Sequence, residues 1–400
     1  MFTEVQIENY KSIQSLKINL GRVNVFIGEN GCGKSNILEA IALAGAAAGN
    51  KLDNEFLAPR GIRVTEPEFM RSAFDKENIS KEIKINLKRD EKTILKYVIQ
   101  NDNQAYSNWS NLESLESYEQ VPDVLKEPVV RELFIDFLIK YSKKIINISP
   151  EVSLFGSISQ KETNFFLDEN INQLMTNLVY GLELKSFLIY SPENSWLRTF
   201  EGEGQIQPLA INGQGLFKLI KVLSNSLDKI NEIRQRLELI DWFDDFKLHQ
   251  DSDIEKTIQI KDRYLDKELP YFNQRSSNEG FLFLMFYFAL FVSDDTPKFF
   301  AIDNIENSLN PKLCTRLIQE LVELAKKYDK QVIFTTHNPA ILDGLDLHDD
   351  DQRLFTIYRN IDGHTKAKRV YAPEPLEDDD PVPLSEAFMN GYIGGLPNNF

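Results

Sequence analysis

Apolar and polar residues alternate from the first positions of the chain: Val5 and Ile7, a turn-like Asn9-Tyr10-Lys11-Ser12, then Ile13, Leu16, Ile18 and Leu20. A period of two predicts a pair of short strands. A third strand, Val23-Asn24-Val25-Phe26-Ile27, runs straight into a glycine-rich turn. The stretch Asn36 to Ala48, rich in Ala, Leu and Ile, then predicts a helix that stops at Gly49-Asn50. Residues 81–107 alternate charged and apolar positions, which predicts a small antiparallel meander. Beyond residue 110 the period changes. Leu125, Val129, Leu133, Phe134 and Phe137 form a stripe of helical spacing, and residues 110–180 are expected to be an inserted helical subdomain. Phe187–Tyr190 is strand-like, 201–215 is a Gly- and Glu-rich loop, and one helical stretch is expected over about 214–240. A dense apolar helix (281–292), a buried strand (298–302), a helix (313–328) and a second buried strand (331–335) follow. Buried strands alternating with helices predict a largely parallel sheet.

Composition narrows the class. Of 400 residues, 42% are hydrophobic and 26% charged, enough to bury a sizeable core and unlike a disordered chain. Acidic residues outnumber basic ones by 61 to 45, a net charge of −16. That argues against a surface that clings everywhere to nucleic acid, while a local basic groove stays compatible with it. Cys32 and Cys314 give no disulfide framework, which fits a reducing interior. No apolar run approaches the roughly 20 residues of a membrane span, and the first residues lack the basic-then-apolar layout of a signal peptide. The expectation is a cytoplasmic protein with no membrane partner.

Three short segments carry chemistry. Gly28-Glu29-Asn30-Gly31-Cys32-Gly33-Lys34-Ser35 matches the phosphate-loop pattern GxxxxGK[ST] without a gap, between a strand and a helix. Its glycines let backbone N–H groups turn inward around phosphate oxygens, Lys34 reaches the terminal phosphates, and the Ser35 hydroxyl suits Mg²⁺. Phe299–Asp303 is an apolar strand delivering one carboxylate at its C-terminal end, where ligands bind in parallel sheets. Asp303 is expected to complete the Mg²⁺ site with Ser35. His337 follows the next buried strand and is placed to donate to a γ-phosphate or to position water.

Together these pieces resemble the ATP-binding-cassette superfamily, in particular the RecF/SMC/OLD-like head ATPases. Ile7–Ile13 resembles that lineage's first strand, Gly28–Ser35 its Walker A, Phe299–Asp303 its Walker B, Ser308-Leu309-Asn310-Pro311 its D-loop and His337 its switch histidine. Ser276–Gly280 is similar to a degenerate signature segment. The fold the resemblance implies is an α/β ABC-type ATPase head: a mixed sheet with an antiparallel β subdomain and a helical insertion. Its expected parts are an N-terminal lobe (1–109), the insertion (110–180), a C-terminal lobe (181–345) and a C-terminal extension (346–400). The cofactors implied are ATP and Mg²⁺, with Asn30, Gly31, Cys32, Gly33, Lys34 and Ser35 around the phosphates. In such ATPases two heads dock head-to-tail, so Ser277 and Gly280 would close the nucleotide held by a second copy, and the ATP form would be a homodimer.

The departures from the family pattern are informative. The insertion is too short, and too poor in heptads, for an SMC coiled coil, and the acidic residues beyond His337 lie in low-complexity loops rather than in a nuclease domain. Where the usual Walker B runs Asp-Glu, this chain has Asp303-Asn304-Ile305-Glu306. An amide cannot accept a proton from water, so turnover is expected to be slow unless Glu306 supplies the base. Arg60, Arg63 and Arg71 flank the loop after the P-loop helix, and Lys81, Lys84, Lys88, Arg89, Lys92 and Lys96 decorate the meander. Strand alternation places several of these lysines on one face, where they would offer phosphate contacts to nucleic acid. The resemblance favours an ATP-driven switch controlling a separately encoded effector, such as a nuclease in anti-phage defence. The alternatives are a RecF-like DNA repair ATPase and, least favoured, the ATPase subunit of a transporter.

Overall fold

Strand β3 (Val23–Ile27) is buried along its whole length and has parallel neighbours on both sides. The computed structural model describes residues 1–90, 93–104, 107–112, 180–200, 208–248, 256–372 and 382–396. The helical insertion expected over 110–180 falls almost entirely outside the described residues, as do Lys92 and the acidic run 377–380. Around β3 lies a six-stranded sheet that also contains β7 (Ile189–Tyr190), β11 (Phe299–Ile302), β12 (Gln331–Thr336), β13 (Gln352–Arg359) and β14 (Thr365–Val370), in the order β14-β13-β3-β12-β11-β7. Only β14 runs antiparallel to its neighbour. Residues from 346 onward, set apart by sequence as an extension, thus supply two strands of the central sheet.

Both faces of the inner strands are covered, which is why β3, β11 and β12 read as mainly apolar runs. Val23, Val25 and Ile27 of β3 enter one core with Phe300, Ile302, Val332 and Phe334. Phe26, Phe299, Ala301 and Ile333 enter the other. The first core holds α4 (Glu279–Val292), whose residues from Phe281 to Val292 are all buried, together with α5 (Pro311–Lys327), α2 (Leu216–Leu223) and α3 (Leu227–Leu237). A helix apolar on every side belongs inside. The single helix expected over 214–240 is broken between α2 and α3 at Ser224-Asn225-Ser226.

The second core lies between the central sheet and an antiparallel one, with α1 (Lys34–Ala48) sandwiched in it. That sheet has the order β2-β1-β4-β5-β6, from β1 (Glu4–Tyr10), β2 (Ile13–Asn19), β4 (Ile83–Lys88), β5 (Ile94–Gln100) and β6 (Ser110–Asn111). The expected meander is therefore the half of a larger sheet that the N-terminal strands complete. A three-stranded sheet, β8 (Phe243–Leu248), β9 (Ile258–Asp262) and β10 (Tyr271–Asn273), was not foreseen and packs on the α4 side.

Candidate functional site

The parallel strands β3, β7, β11 and β12 end on one edge, in register: Thr336 pairs with Ile27, and Ile302 with Phe334 and Tyr190. The residues that follow, Gly28, Asp303 and His337, are thereby delivered to the same place. The turn from Gly28 to Gly33 needs its glycines. A Cβ on Gly28 would stand 2.1 Å from the Ile357 carbonyl oxygen, and one on Gly33 (φ +107°) 2.0 Å from Thr365 Oγ1. α1 then starts at Lys34 with no side chain capping it. The free amides of its first turn and the positive end of its dipole converge on the loop, an arrangement that suits an anion.

Lys34 Nζ donates to the carbonyls of Gly28 (2.9 Å) and Glu29 (3.1 Å) and lies 3.4 Å from His337 Nδ1. Burial lowers its pKa, and Asp303 and Glu306 are near enough to oppose the shift. Ser35 Oγ is 3.4 and 3.3 Å from the two Asp303 carboxylate oxygens. Thr335, which sequence reasoning missed, holds Asp303 in place. Its hydroxyl donates to Asp303 Oδ1 and accepts the Asn304 N–H at 2.9 Å. Asn304 itself is left-handed (φ 55°), a conformation that asparagine tolerates far better than glutamate. Glu306 Oε1 accepts the backbone N–H of His337 at 2.8 Å, while its buried Oε2 has no protein partner. The His337 imidazole is held below its ordinary pKa by burial first and by the Lys34 ammonium second, so it is neutral at pH 7. Cys32 is buried, and burial pushes its thiol up, as suits a small inert residue in a tight loop.

Ser277 and Gly280 stand apart from this cluster, at the start of α4. Asn278 caps that helix through Phe281 N–H at 2.8 Å. Ser277 is buried with its hydroxyl unpartnered, and Gly280 packs on the Ser308 carbonyl oxygen, 3.2 Å from where a Cβ would sit. Glu279 bridges the same region, accepting from Asn194 Nδ2 (2.6 Å) and Ser308 Oγ (2.8 Å). No hydrogen bond among the described residues joins Ser277 or Gly280 to the chain's own P-loop.

Beside the P-loop lies a cavity of about 440 Å³ lined by Lys11, Ser12, Asn36, Arg63, Phe69, Phe74 and Arg359, among others. Beneath it Glu39 is 1% exposed. Its carboxylate binds Lys11 Nζ and, at 2.5 Å, Arg63 Nε. A lone acid in an otherwise apolar helix was the available sequence signal for this clamp. The basic cluster read from sequence divides accordingly. Arg63 is exposed, but Arg71 is fully buried against Trp109 and spends its donors on Lys81 O, Pro67 O, Asn101 O and Asn103 Oδ1. Arg60 is bound to the carbonyls of Lys185 and Phe187, so neither is a free phosphate contact. Lys84, Lys88 and Lys96 do share the outer face of the antiparallel sheet, yet Glu8 and Glu4 of β1 stand directly opposite Lys84 and Lys88. The face is mixed rather than basic.

The donor set fits the expected ion. One hydroxyl and one carboxylate are hard oxygen ligands, and two protein ligands suit Mg²⁺, which keeps waters and takes substrate phosphate for the rest. Among the described residues no group of three or more His, Cys, Asp or Glu could hold a metal by itself. The glycine cradle and uncapped helix fit the phosphates in the same way.

Residues 23–343 match the family model described as "AAA domain, putative AbiEii toxin, Type IV TA system". The chain belongs to that family. This AAA domain is also similar to the DNA replication and repair protein RecF of Clostridium perfringens (strain SM101 / Type A), 26% identical over 190 residues, 46% of this chain and 50% of the relative. RecF of Bacillus cereus (strain G9842) is 29% identical over 138 residues, 34% of this chain and 36% of the relative. The chain thus spans at most about half the length of these relatives. In fold it is similar to an SMC head solved in complex with the C-winged helix domain of ScpA, with a TM-score of 0.52 at 14% identity, covering 92% of this chain and 98% of the other. The AAA domain thus has the fold of an SMC head, with the mixed sheet of such heads, and is similar in sequence to RecF over part of its length. Among the described residues no helix is long and apolar enough to cross a membrane.

Proposed function

We propose that this chain is an ATP-binding switch: it holds ATP–Mg²⁺ at the P-loop, pairs head-to-tail with a second copy, and controls a separately encoded effector. The observation that carries the reading is the convergence of Lys34, the Ser35–Asp303 pair and His337 on one sheet edge, in front of the uncapped start of α1. Lys34 and the loop amides bind the phosphates, Ser35 and Asp303 hold Mg²⁺, and His337 orients the terminal phosphate or a water. The ion, when bound, neutralises charge between the β- and γ-phosphates. The cavity bordered by Asn36, Ser12 and Arg63 adjoins the first turn of α1. Asn304 in place of a carboxylate makes turnover slow, which suits a protein that waits in its ATP form. A nuclease partner in anti-phage defence is the effector that fits the lineage, and the partner-bound SMC head is a precedent for a head of this fold docking another protein.

The pairing is tested at Gly280. Any side chain there meets the Ser308 carbonyl and Leu309, and the start of α4 makes no bond to its own P-loop. Gly280→Trp should therefore abolish ATP-dependent dimerisation in light scattering while changing ATP affinity by less than about tenfold, a shift worth at most ~1.4 kcal/mol. The same assembly with and without ATP, in wild type and variant alike, would exclude a composite site.

The RecF matches favour a second reading, an ATPase that retains DNA. It requires ATP-dependent retention of duplex or gapped DNA in a gel shift, lost on charge reversal of Lys84 and Lys96. The carboxylates interleaved on that face make this the weaker of the two.

A further inference from the structure

The back of the P-loop is held by a hairpin more than 300 residues away in sequence. Thr365, completely buried at the start of β14, donates its hydroxyl to the Cys32 carbonyl at 2.8 Å. Arg359, at the end of β13, donates Nε to the Gly31 carbonyl at 2.8 Å and Nη1 to Gly363 O at 3.2 Å. Thr365 is itself fixed: its hydroxyl shares a 2.7 Å hydrogen bond with Ser12 Oγ, and its N–H donates to Ser12 O at 2.8 Å. Asn36 Nδ2 closes the chain on Ser12 Oγ at 2.6 Å. Two consecutive P-loop carbonyls are therefore claimed from outside the loop.

A trans peptide is planar, with its C=O and N–H pointing in opposite directions. Binding the Cys32 carbonyl from behind aims the Gly33 N–H to the front, while binding the Gly31 carbonyl fixes the peptide whose N–H, that of Cys32, donates to the Glu29 carbonyl at 3.4 Å within the turn. Gly31 and Gly33, both at positive φ, otherwise allow these peptides to flip at little cost. We propose that Thr365 and Arg359 are positioning residues for nucleotide binding: they lock two consecutive P-loop peptides, Arg359 holding the Glu29–Cys32 turn in shape and Thr365 turning the Gly33 N–H toward the phosphates. Thr365, fully buried, acts only through the loop, whereas the Arg359 side chain also lines the neighbouring cavity. The inference rests on the reading of Gly28–Ser35 as a phosphate site and assigns the C-terminal hairpin a part in it.

Calorimetry with ATP–Mg²⁺ and ADP–Mg²⁺ tests it on Thr365→Val, Thr365→Ser and Arg359→Ala. Valine keeps the volume of threonine without its donor, and serine keeps the donor. Thr365→Val is expected to weaken ATP and ADP by the same factor, about tenfold, which is the value of one lost hydrogen bond to a buried carbonyl. Thr365→Ser should restore affinity to within about twofold. Arg359→Ala, at a partly exposed site, should weaken both nucleotides about threefold and keeps the proposal testable if Thr365→Val does not fold. Unchanged affinity in Thr365→Val or Arg359→Ala, with normal binding by wild type, overturns the inference alone. So does a Thr365→Ser protein as weak as Thr365→Val, because packing would then be the cause. A wild-type chain that binds no ATP removes the phosphate-site reading and this inference with it.

Discussion

Lys34→Ala is expected to lose ATP binding, with the dissociation constant rising by about 10²–10⁴. Lys34 is 5% exposed, and its ammonium sits where loop carbonyls, Asp303 and His337 surround it. A hydrogen bond to a charged group is worth ~1.5–3 kcal/mol, and two such bonds to β- and γ-phosphate oxygens account for that range at ~1.4 kcal/mol per decade. The same ammonium also bonds Gly28 O and Glu29 O, so the variant leaves those two acceptors free. A melting curve without nucleotide separates a collapsed loop from a lost ligand contact. Lys34→Ala should melt within a few degrees of wild type and, unlike wild type, gain no stability from added ATP. Unchanged ATP affinity by calorimetry would falsify the phosphate-site reading at its foundation.

The sequence displayed those parts of the site that sit at the ends of short apolar runs. Val23–Ile27, Phe299–Ile302 and Gln331–Thr336 are buried on both faces, so they stand out as mainly apolar segments, and the glycine, aspartate or histidine that follows each is conspicuous. What stayed hidden depends on contacts distant in sequence. β13 joins β3 in parallel, but nothing local in Gln352–Arg359 says which strand it will adjoin, so its segment looked like an appendage. The bonds from Thr365 and Arg359 to the P-loop were invisible for the same reason. The sheet β8–β10 was missed because charged residues such as Asp244, Asp245, Lys247 and Lys261 cover its outer face, leaving only Phe243, Phe246, Ile258 and Ile260 as a sparse apolar set. Arg60 and Arg71 misled in the opposite direction. Type alone marks arginine as surface, yet a guanidinium whose donors meet carbonyl oxygens can be buried. The break at Ser224–Ser226 leaves no mark on the apolar pattern, because helical spacing resumes at once beyond it.

Hydrolysis is expected to be slow, and Asn304 is the reason. It follows Asp303 at the strand end where related ATPases place a carboxylate that polarises water, and loss of a general base commonly costs ~10²–10⁴ in rate. Its left-handed backbone explains why asparagine is tolerated there and sets a limit on rescue. Asn304→Glu restores the carboxylate but adds ~1–2 kcal/mol of backbone strain, so the rate should rise without reaching that of an enzyme built around glutamate. Glu306 is the competing base. One of its oxygens is committed to the His337 N–H, and the other is buried on the side of Cys314, whose thiol is pushed up to about 11 by burial first and by the Glu306 charge second. A carboxylate so committed fixes the His337 loop better than it activates water. Glu306→Gln keeps the acceptor for His337 N–H and removes only the charge, so it should change the rate by less than about threefold, ~0.7 kcal/mol. His337→Ala should lower whatever rate remains, since the neutral imidazole is the group left to orient water. Steady-state rates of wild type and the three variants decide the matter. A low wild-type rate that increases in Asn304→Glu supports the waiting switch. Brisk wild-type turnover that collapses in Glu306→Gln would make Glu306 the base, and the ATP form would then be short-lived.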